Sequence, residues 1–280
     1  MLHCPASVRA VRSRYSNHFP NKKGANSQSE TENYENWMEI CVDSIESAKN
    51  AISGGANRLE VCSALSEGGL TPTPGLIKSI RNHDGNIKLY AMIRLRSGDF
   101  VYSRDEMDGM LYDLEVLKGH EVDGFVFGAL RQDGSIDSDY CREIISAAKP
   151  KPVTFHRAFD EAVYPLKSIE SIIDLGFERV LTSGQRNTAI EGVQLIKKLI
   201  DRADDRIVIM PGSGINPTNI EAIKSQTGAR EFHASAKKRV ELPPAVNKVT
   251  IGRTDDHSGN FTMITSKELV QQMVEILEKL

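Results

Sequence analysis

This sequence predicts an α/β protein, a (β/α)8 barrel of the TIM type, and three observations predict it. Eight short β-rich runs alternate with eight stretches of helical period over about 240 residues. The grammar repeats: GGANRLEVCS (54–63) and LGFERVLTSG (175–184) both run helix stop, Arg, strand, small polar loop, with looser copies at 119–128 and 227–235. An open doubly wound sheet would use the same elements, but no GxGxxG follows the first strand to favour its dinucleotide-binding form.

Strand 1 is Met38–Val42, and Asp43 or Ser44 caps a helix over Ile45–Ser53 that Gly54-Gly55 stops, Gly being the residue least strained at a left-handed C-cap. Strand 2, Arg58–Cys62, feeds a Gly-, Ser- and Pro-rich loop and a helix over about 75–82. Strand 3, Leu89–Arg94, precedes the loop Leu95–Ser103 and a helix over Arg104–Lys118. Strand 4 is Gly124–Phe127, and Asp137 or Ser138 starts the helix that ends near Ala148. Strand 5 lies in PVTFHRAFD (152–160) and delivers His156 and Arg157 to its C-terminal end, before a helix over Pro165–Leu175. Strand 6 is Arg179–Thr182, with a helix over Ala189–Ala203. Strand 7 is Ile207–Met210, and its loop PGSGINPTN offers Asn216 as N-cap with Pro217 at the first helical position. After strand 8, Glu231–Ala234, a polar segment leads to a last helix, Ser266–Leu280, whose Leu269, Met273, Ile276, Leu277 and Leu280 share one face.

With 280 residues, 40% hydrophobic and 26% charged, the chain can bury a barrel core without staples. Its net charge of -3 gives no reason to expect nucleic acid or membrane as partner, and no apolar run approaches the roughly 20 residues of a span. Cys4, Cys41, Cys62 and Cys141 show no CxxC spacing and no secretory signal, and read as reduced thiols in a cytosol-like compartment. Residues 1–36 stand apart: Arg9, Arg12, Arg14, Lys22 and Lys23 all precede the first acidic residue, Glu30. They read as a disordered extension to a single barrel domain over 37–280. Their composition leaves an organelle-targeting peptide open, although Pro5 and Pro20 interrupt any long amphipathic helix.

Side chains alternate along a strand. If Ile40, Val42, Leu59, Val61, Ile93, Val153 and Phe155 face the helices, then Glu39, Cys41, Glu60, Cys62, Met92, Arg94, Thr154 and His156 face the interior, joined by Thr182 and His233. Buried Glu39 and Glu60 require partners, for which Arg94, His156 and His233 are the evident candidates. The set is either a structural network or a cavity in which Glu39, Glu60 and His156 do acid/base work while Arg94 and Arg157 neutralise developing charge. Cys41 and Cys62 close neighbouring strands, about 4.8 Å apart. Two soft sulfurs of low coordination suit Cu(I), whereas Zn(II) wants four ligands; paired core cysteines that bind nothing share this spacing. Ser183 and Gly184 after strand 6, Gly212 and Gly214 after strand 7, and Ser235 after strand 8 gather at one side of the mouth. There, backbone N–H groups suit a small anionic ligand, phosphate or carboxylate, unless the loops are merely small and flexible. The loops 65–75 and 94–103 are long enough to cover the cavity, with Arg96 and Asp99 either touching a ligand or forming an internal salt bridge.

These motifs, MEICVDSIESA (38–48), GGANRLEVCSALSEGGLTPTPG (54–75), MIRLRSGDFVYS (92–103), PVTFHRAFD (152–160), GFERVLTSG (176–184), RIVIMPGSGI (206–215) and EFHASA (231–236), together resemble the CutC copper homeostasis protein family. The resemblance implies a (β/α)8 barrel, a cytoplasmic (or also nuclear) setting, a homo-oligomer (dimer or tetramer) and a role in intracellular copper handling. It implies Cu(I) binding at Cys41 and Cys62, and a polar cavity of Glu39, Glu60, Arg94, Arg96, His156, Arg157 and His233. Leu95 and Ser97 depart from the family's usual Pro and Gly, and residues 237–265 match poorly. Two functions follow: copper storage, trafficking or tolerance through the cysteine pair, or acid/base catalysis on a small phosphorylated or carboxylated metabolite.

Overall fold

The structure, a computed structural model, describes residues 36–243 and 261–280. The predicted extension over 1–36 lies, but for Asn36, outside the described residues. The strands β1 (Trp37–Val42), β2 (Arg58–Val61), β3 (Lys88–Met92), β4 (Gly124–Phe127), β5 (Val153–Phe155), β6 (Arg179–Thr182), β7 (Val208–Pro211) and β8 (Glu231–Ala234) form one parallel sheet. Its order is β7-β6-β5-β4-β3-β2-β1-β8, with no ladder between β7 and β8 among the described residues. The helices α1 (Ile45–Ser53), α2 (Pro74–His83), α3 (Arg104–Lys118), α4 (Ser138–Ala148), α5 (Pro165–Leu175), α6 (Val193–Ala203) and α7 (Ile220–Thr227) alternate with the strands, and α8 (Lys267–Glu278) ends the chain. This is the predicted TIM-type barrel, not an open sheet. None of its helices is long and apolar enough to cross a membrane, among the described residues.

Alternation sorts the side chains as expected. Ile40, Val42, Leu59, Val61, Ile93, Val153 and Phe155 pack against Ile77, Leu114, Ile144, Ile169, Ile196 and Met273 of the helices in one large core. Burying each such side chain contributes about 1.5–3 kcal/mol. Inside the barrel, Cys62, Tyr90, Met92 and Val126 form a second, smaller cluster. Gly124 makes room there: a Cβ at this position would lie 2.6 Å from the Tyr90 ring. Gly124→Ala is therefore expected to cost about 2 kcal/mol by overpacking. Urea unfolding checks this, as a lower midpoint at unchanged slope.

Local chemistry fixes the helix ends. Ser44 caps α1 by accepting from Ser47 N, Asp137 caps α4, and Ser103 with Glu106 forms a capping box on α3. Three expectations are corrected. The helix after β6 starts at Val193, not Ala189, because Gly192 is pressed against the β6 loop, where a Cβ would meet Ser183 O at 1.8 Å. The helix after β7 starts at Ile220, not Pro217; Asn216 closes a turn before it, its Oδ1 accepting from Thr218 N at 2.9 Å. Thr182 does not face the interior: Leu181 does, and the Thr182 hydroxyl donates to Asp160 Oδ1 at 2.5 Å. The polar segment after β8 holds an antiparallel hairpin, β9 (Lys237–Glu241) and β10 (Phe261–Thr265). Its base is tied to the barrel rim by Thr265 Oγ1, which donates to Ser235 O at 3.1 Å, and by Ser266 N, which donates to Ala236 O at 2.8 Å.

Candidate metal centre and ligand cavity

The barrel is closed from below by charge. Arg58 opens β2, stands beside Glu39 in register, and its Nε donates to Glu39 Oε2. Its Nη2 reaches Glu231 Oε2, which also accepts from Arg179 Nε at 3.1 Å. Both guanidinium groups lie over the Tyr90 ring, at 5.1 and 5.0 Å from its centroid. Burial works against ionising Glu39, but Arg58 and then His233 hold its carboxyl well below the usual range. The expected partners are thus corrected in part. His233 does pair with Glu39, whereas Arg94 and His156 pair with neither carboxylate, because Arg58 already occupies that side of Glu39. Arg58, which opens strand 2, and Arg179, which opens strand 6, are the repeated Arg of the two echoing segments, so the signal was present in the sequence.

Above this floor, at the C-terminal ends of the strands, lies a cavity of about 400 Å³. Cys41 from β1, Glu60 from β2, Arg94 after β3, His156 and Arg157 after β5 and His233 from β8 line it. Glu39 sits beneath it and Arg96 outside it. Arg96 forms the internal salt bridge, Nη2 to Asp99 Oδ1 at 3.0 Å, and its Nε donates to Glu106 Oε1. Arg94 pins the two covering loops together by donating to the carbonyls of Glu67 (3.0 Å), Gly69 (3.4 Å) and Gly98 (2.9 Å).

One wall gathers metal-type donors. Cys41 Sγ, a Glu60 oxygen and a His233 ring nitrogen all lie within 4.8 Å of one another. His233 Nδ1 is 2.7 Å from Glu39 Oε1, and its Nε2 is 3.8 Å from Glu60 Oε2. A carboxylate behind the imidazole fixes ring and tautomer in the way that metal-bound histidines are held. Burial pushes the Glu60 carboxyl up to about 7, His233 opposing. Burial disfavours the His233 cation, yet Glu60 and Cys41 raise its pKa well above the ordinary value. Cys62, just after β2, is fully buried against Tyr90, Met92 and Val126. Its thiol donates to Glu60 Oε2 at 3.6 Å, and burial, reinforced by Glu60, pushes it well above the ordinary thiol value.

The opposite wall carries His156. Its Nδ1 accepts from Ala158 N at 3.2 Å, and burial, with the Arg94 charge nearby, pushes its pKa down to about 3. His156 Nε2, Arg94 Nε and Glu60 Oε1 are buried without a hydrogen-bond partner among the described residues.

The predicted anion loops divide. Gly214 and Ser235 line the cavity, whereas Gly212 N donates to Thr182 O at 2.9 Å. Ser183 N donates to both oxygens of Asp160 at 3.1 Å, and Gly184 N donates to Thr182 Oγ1 at 2.9 Å. Asp160 also accepts from Ser183 Oγ, Gln185 N and Arg157 Nε. A carboxylate from the chain itself therefore fills the β6 loop. Asp160 stood in the His156 motif, but only its position three residues after Arg157 hinted at this role.

Fold and site together define a (β/α)8 barrel with a thiol–imidazole donor cluster and a polar cavity at its C-terminal rim. The CutC family model matches residues 36–238, and the chain belongs to the CutC family. It is 50% identical over 200 residues to the human copper homeostasis protein cutC homolog, covering 71% of this chain and 73% of that one. It is 47% identical over 239 residues to a CutC family protein of Parabacteroides distasonis, covering 85% and 98%. The crystal structure of CutC from Streptococcus agalactiae superposes with a TM-score of 0.68 at 32% identity, covering 71% of this chain and 98% of that chain.

Proposed function

We propose that this chain works in copper homeostasis by holding one Cu(I) ion on the β1–β2–β8 wall of the cavity. Cys41 is the anchoring thiolate, His233 Nε2 the nitrogen donor once the ion displaces its proton, and Cys62 the second sulfur that joins once it loses its own. The convergence of Cys41, Glu60 and His233 within 4.8 Å carries this reading. The donor set fits the cargo: thiolate and imidazole suit a soft ion of low coordination, while the harder Glu60 carboxylate serves better beside the site than on the metal. The names of the human and other animal relatives support copper as the ion. Glu39 keeps the His233 ring oriented, so donor geometry exists before the ion arrives.

An anaerobic Cu(I) titration against a chromophoric chelator tests this. Cys41→Ser is expected to weaken binding at least roughly 100-fold and Cys62→Ser by less, since losing even an outer-shell partner of a metal ligand costs about 10–100-fold and a direct thiolate ligand should cost more. Equal affinity in wild type and Cys41→Ser overturns the reading.

A further inference from the structure

Arg94 is a buried cation without a counter-ion. It is 5% exposed, forms no salt bridge among the described residues, and its Nη atoms are held by three neutral carbonyls. Those carbonyls fix the guanidinium at the cavity wall, so it cannot swing out to water. A buried charge of this kind is costly unless an anion meets it. His156 packs against the same ring as the guanidinium: the Phe100 centroid is 4.8 Å from Arg94 Cζ and 4.9 Å from the imidazole centroid. Since Nδ1 of His156 accepts from Ala158 N–H, the neutral ring carries its proton on Nε2. That Nε2–H is a buried donor with no acceptor, and Arg94 Nε–H is a second. Glu60 Oε1 supplies the complementary defect, a buried acceptor with no donor. All three residues line one cavity, whose remaining wall includes Leu65, Met92, Leu181 and Ile215.

We propose that this cavity binds a small hydroxycarboxylate, its carboxylate oxygens received by Arg94 and His156 Nε2–H and its hydroxyl donated to Glu60 Oε1. The charge balance selects a monoanion. Of the other cations on the wall, Arg157 is already paired with Asp160 at 2.8 Å and His233 with Glu39 at 2.7 Å, so one guanidinium and a neutral imidazole remain. A phosphate dianion would bring more charge than these neutralise. The apolar wall takes a short aliphatic body. This site goes beyond copper binding: Arg94 and His156 lie outside the Cys41 cluster, and Glu60 is the one group the two sites share.

Calorimetric titration of the full chain, kept copper-free with a chelator, tests it with L-lactate, acetate and inorganic phosphate as probes. Saturable lactate binding, tighter than acetate and phosphate, is expected. His156→Asn keeps an acceptor for Ala158 N–H but loses the distal donor, and should weaken lactate roughly ten-fold or more. His156→Gln, whose amide reaches the Nε2 position, should restore most of it. In the wild type the His156 Nε2–H resonance should move as lactate is added, a readout that needs no variant. No saturable lactate binding, preference for phosphate, equal affinity in His156→Asn, or an unmoved Nε2–H signal in lactate-saturated protein each overturns the proposal. Copper is absent throughout, so failure of the copper reading leaves these outcomes unchanged.

Discussion

Arg58→Met is expected to lower the unfolding free energy by roughly 3–5 kcal/mol, the effect of leaving a buried charge without its partner. Glu39 is 1% exposed and Arg58 2%, so water cannot replace the lost guanidinium. Glu231 loses one of its two arginines and Tyr90 one of the two cations over its ring. Equilibrium urea unfolding at neutral pH reads the loss. The double variant Arg58→Met/Glu39→Gln should recover much of it, because removing a whole buried ion pair is far less harmful than removing half. The amide oxygen that Glu39→Gln leaves in place of the carboxylate can still accept from His233 Nδ1, so the donor wall keeps its shape. If the double variant is as unstable as the single one, side-chain packing rather than charge dominates the floor.

The same pair sets an acid limb. Glu39 has its pKa lowered on folding, so its contribution to stability is present above the unfolded carboxyl value and is lost as pH falls through and below that value. In Arg58→Met the main force holding the carboxylate ionised is gone and burial pushes the other way. The variant should therefore lose the wild type's Glu39-linked fall in stability towards acid, and its deficit relative to wild type should narrow there.

How much of this was legible depends on the distance over which each feature is encoded. The barrel was, because each β/α unit writes its own pattern locally: apolar alternation in strands such as Arg58–Val61, a cap such as Ser44, a stop such as Gly54. The inward set was legible for the same reason, and Glu60, Arg94, His156 and His233 do face one cavity with Cys41. Pairings were not. Which cation meets Glu39 depends on register between β1 and β2, which places Arg58 opposite it, and a strand read alone shows only that Arg58 precedes an apolar run. Thr182 misled because a strand of four residues permits two alternation phases, and only the hydroxyl's bond to Asp160 chooses between them. The hairpin of β9 and β10 was hidden because Lys237–Glu241, reading KKRVE, is rich in residues poorly suited to strands and pairs only with a distant segment, Phe261–Thr265.

Asp160→Ala tests the one place where the chain replaces an expected ligand with its own side chain. The carboxylate accepts from Thr182 Oγ1, Ser183 N, Ser183 Oγ, Gln185 N and Arg157 Nε, five donors from the β5 and β6 loops. Hydrogen bonds to a charged acceptor contribute about 1.5–3 kcal/mol each when lost singly. Water can enter at this half-open rim and take over part of them, so a loss of about 3 kcal/mol is expected in urea unfolding. The donors left behind form an anion cradle of the kind the glycines and serines of this loop suggested. Millimolar phosphate should then raise the melting temperature of Asp160→Ala by several degrees more than that of wild type, in which Asp160 occupies the cradle. Equal response of the two proteins would mean that the loop collapses when the carboxylate is removed. The loop's donors would then be organised by Asp160 itself, and the small residues of the TSG turn would serve the close approach of Gly192 rather than any anion.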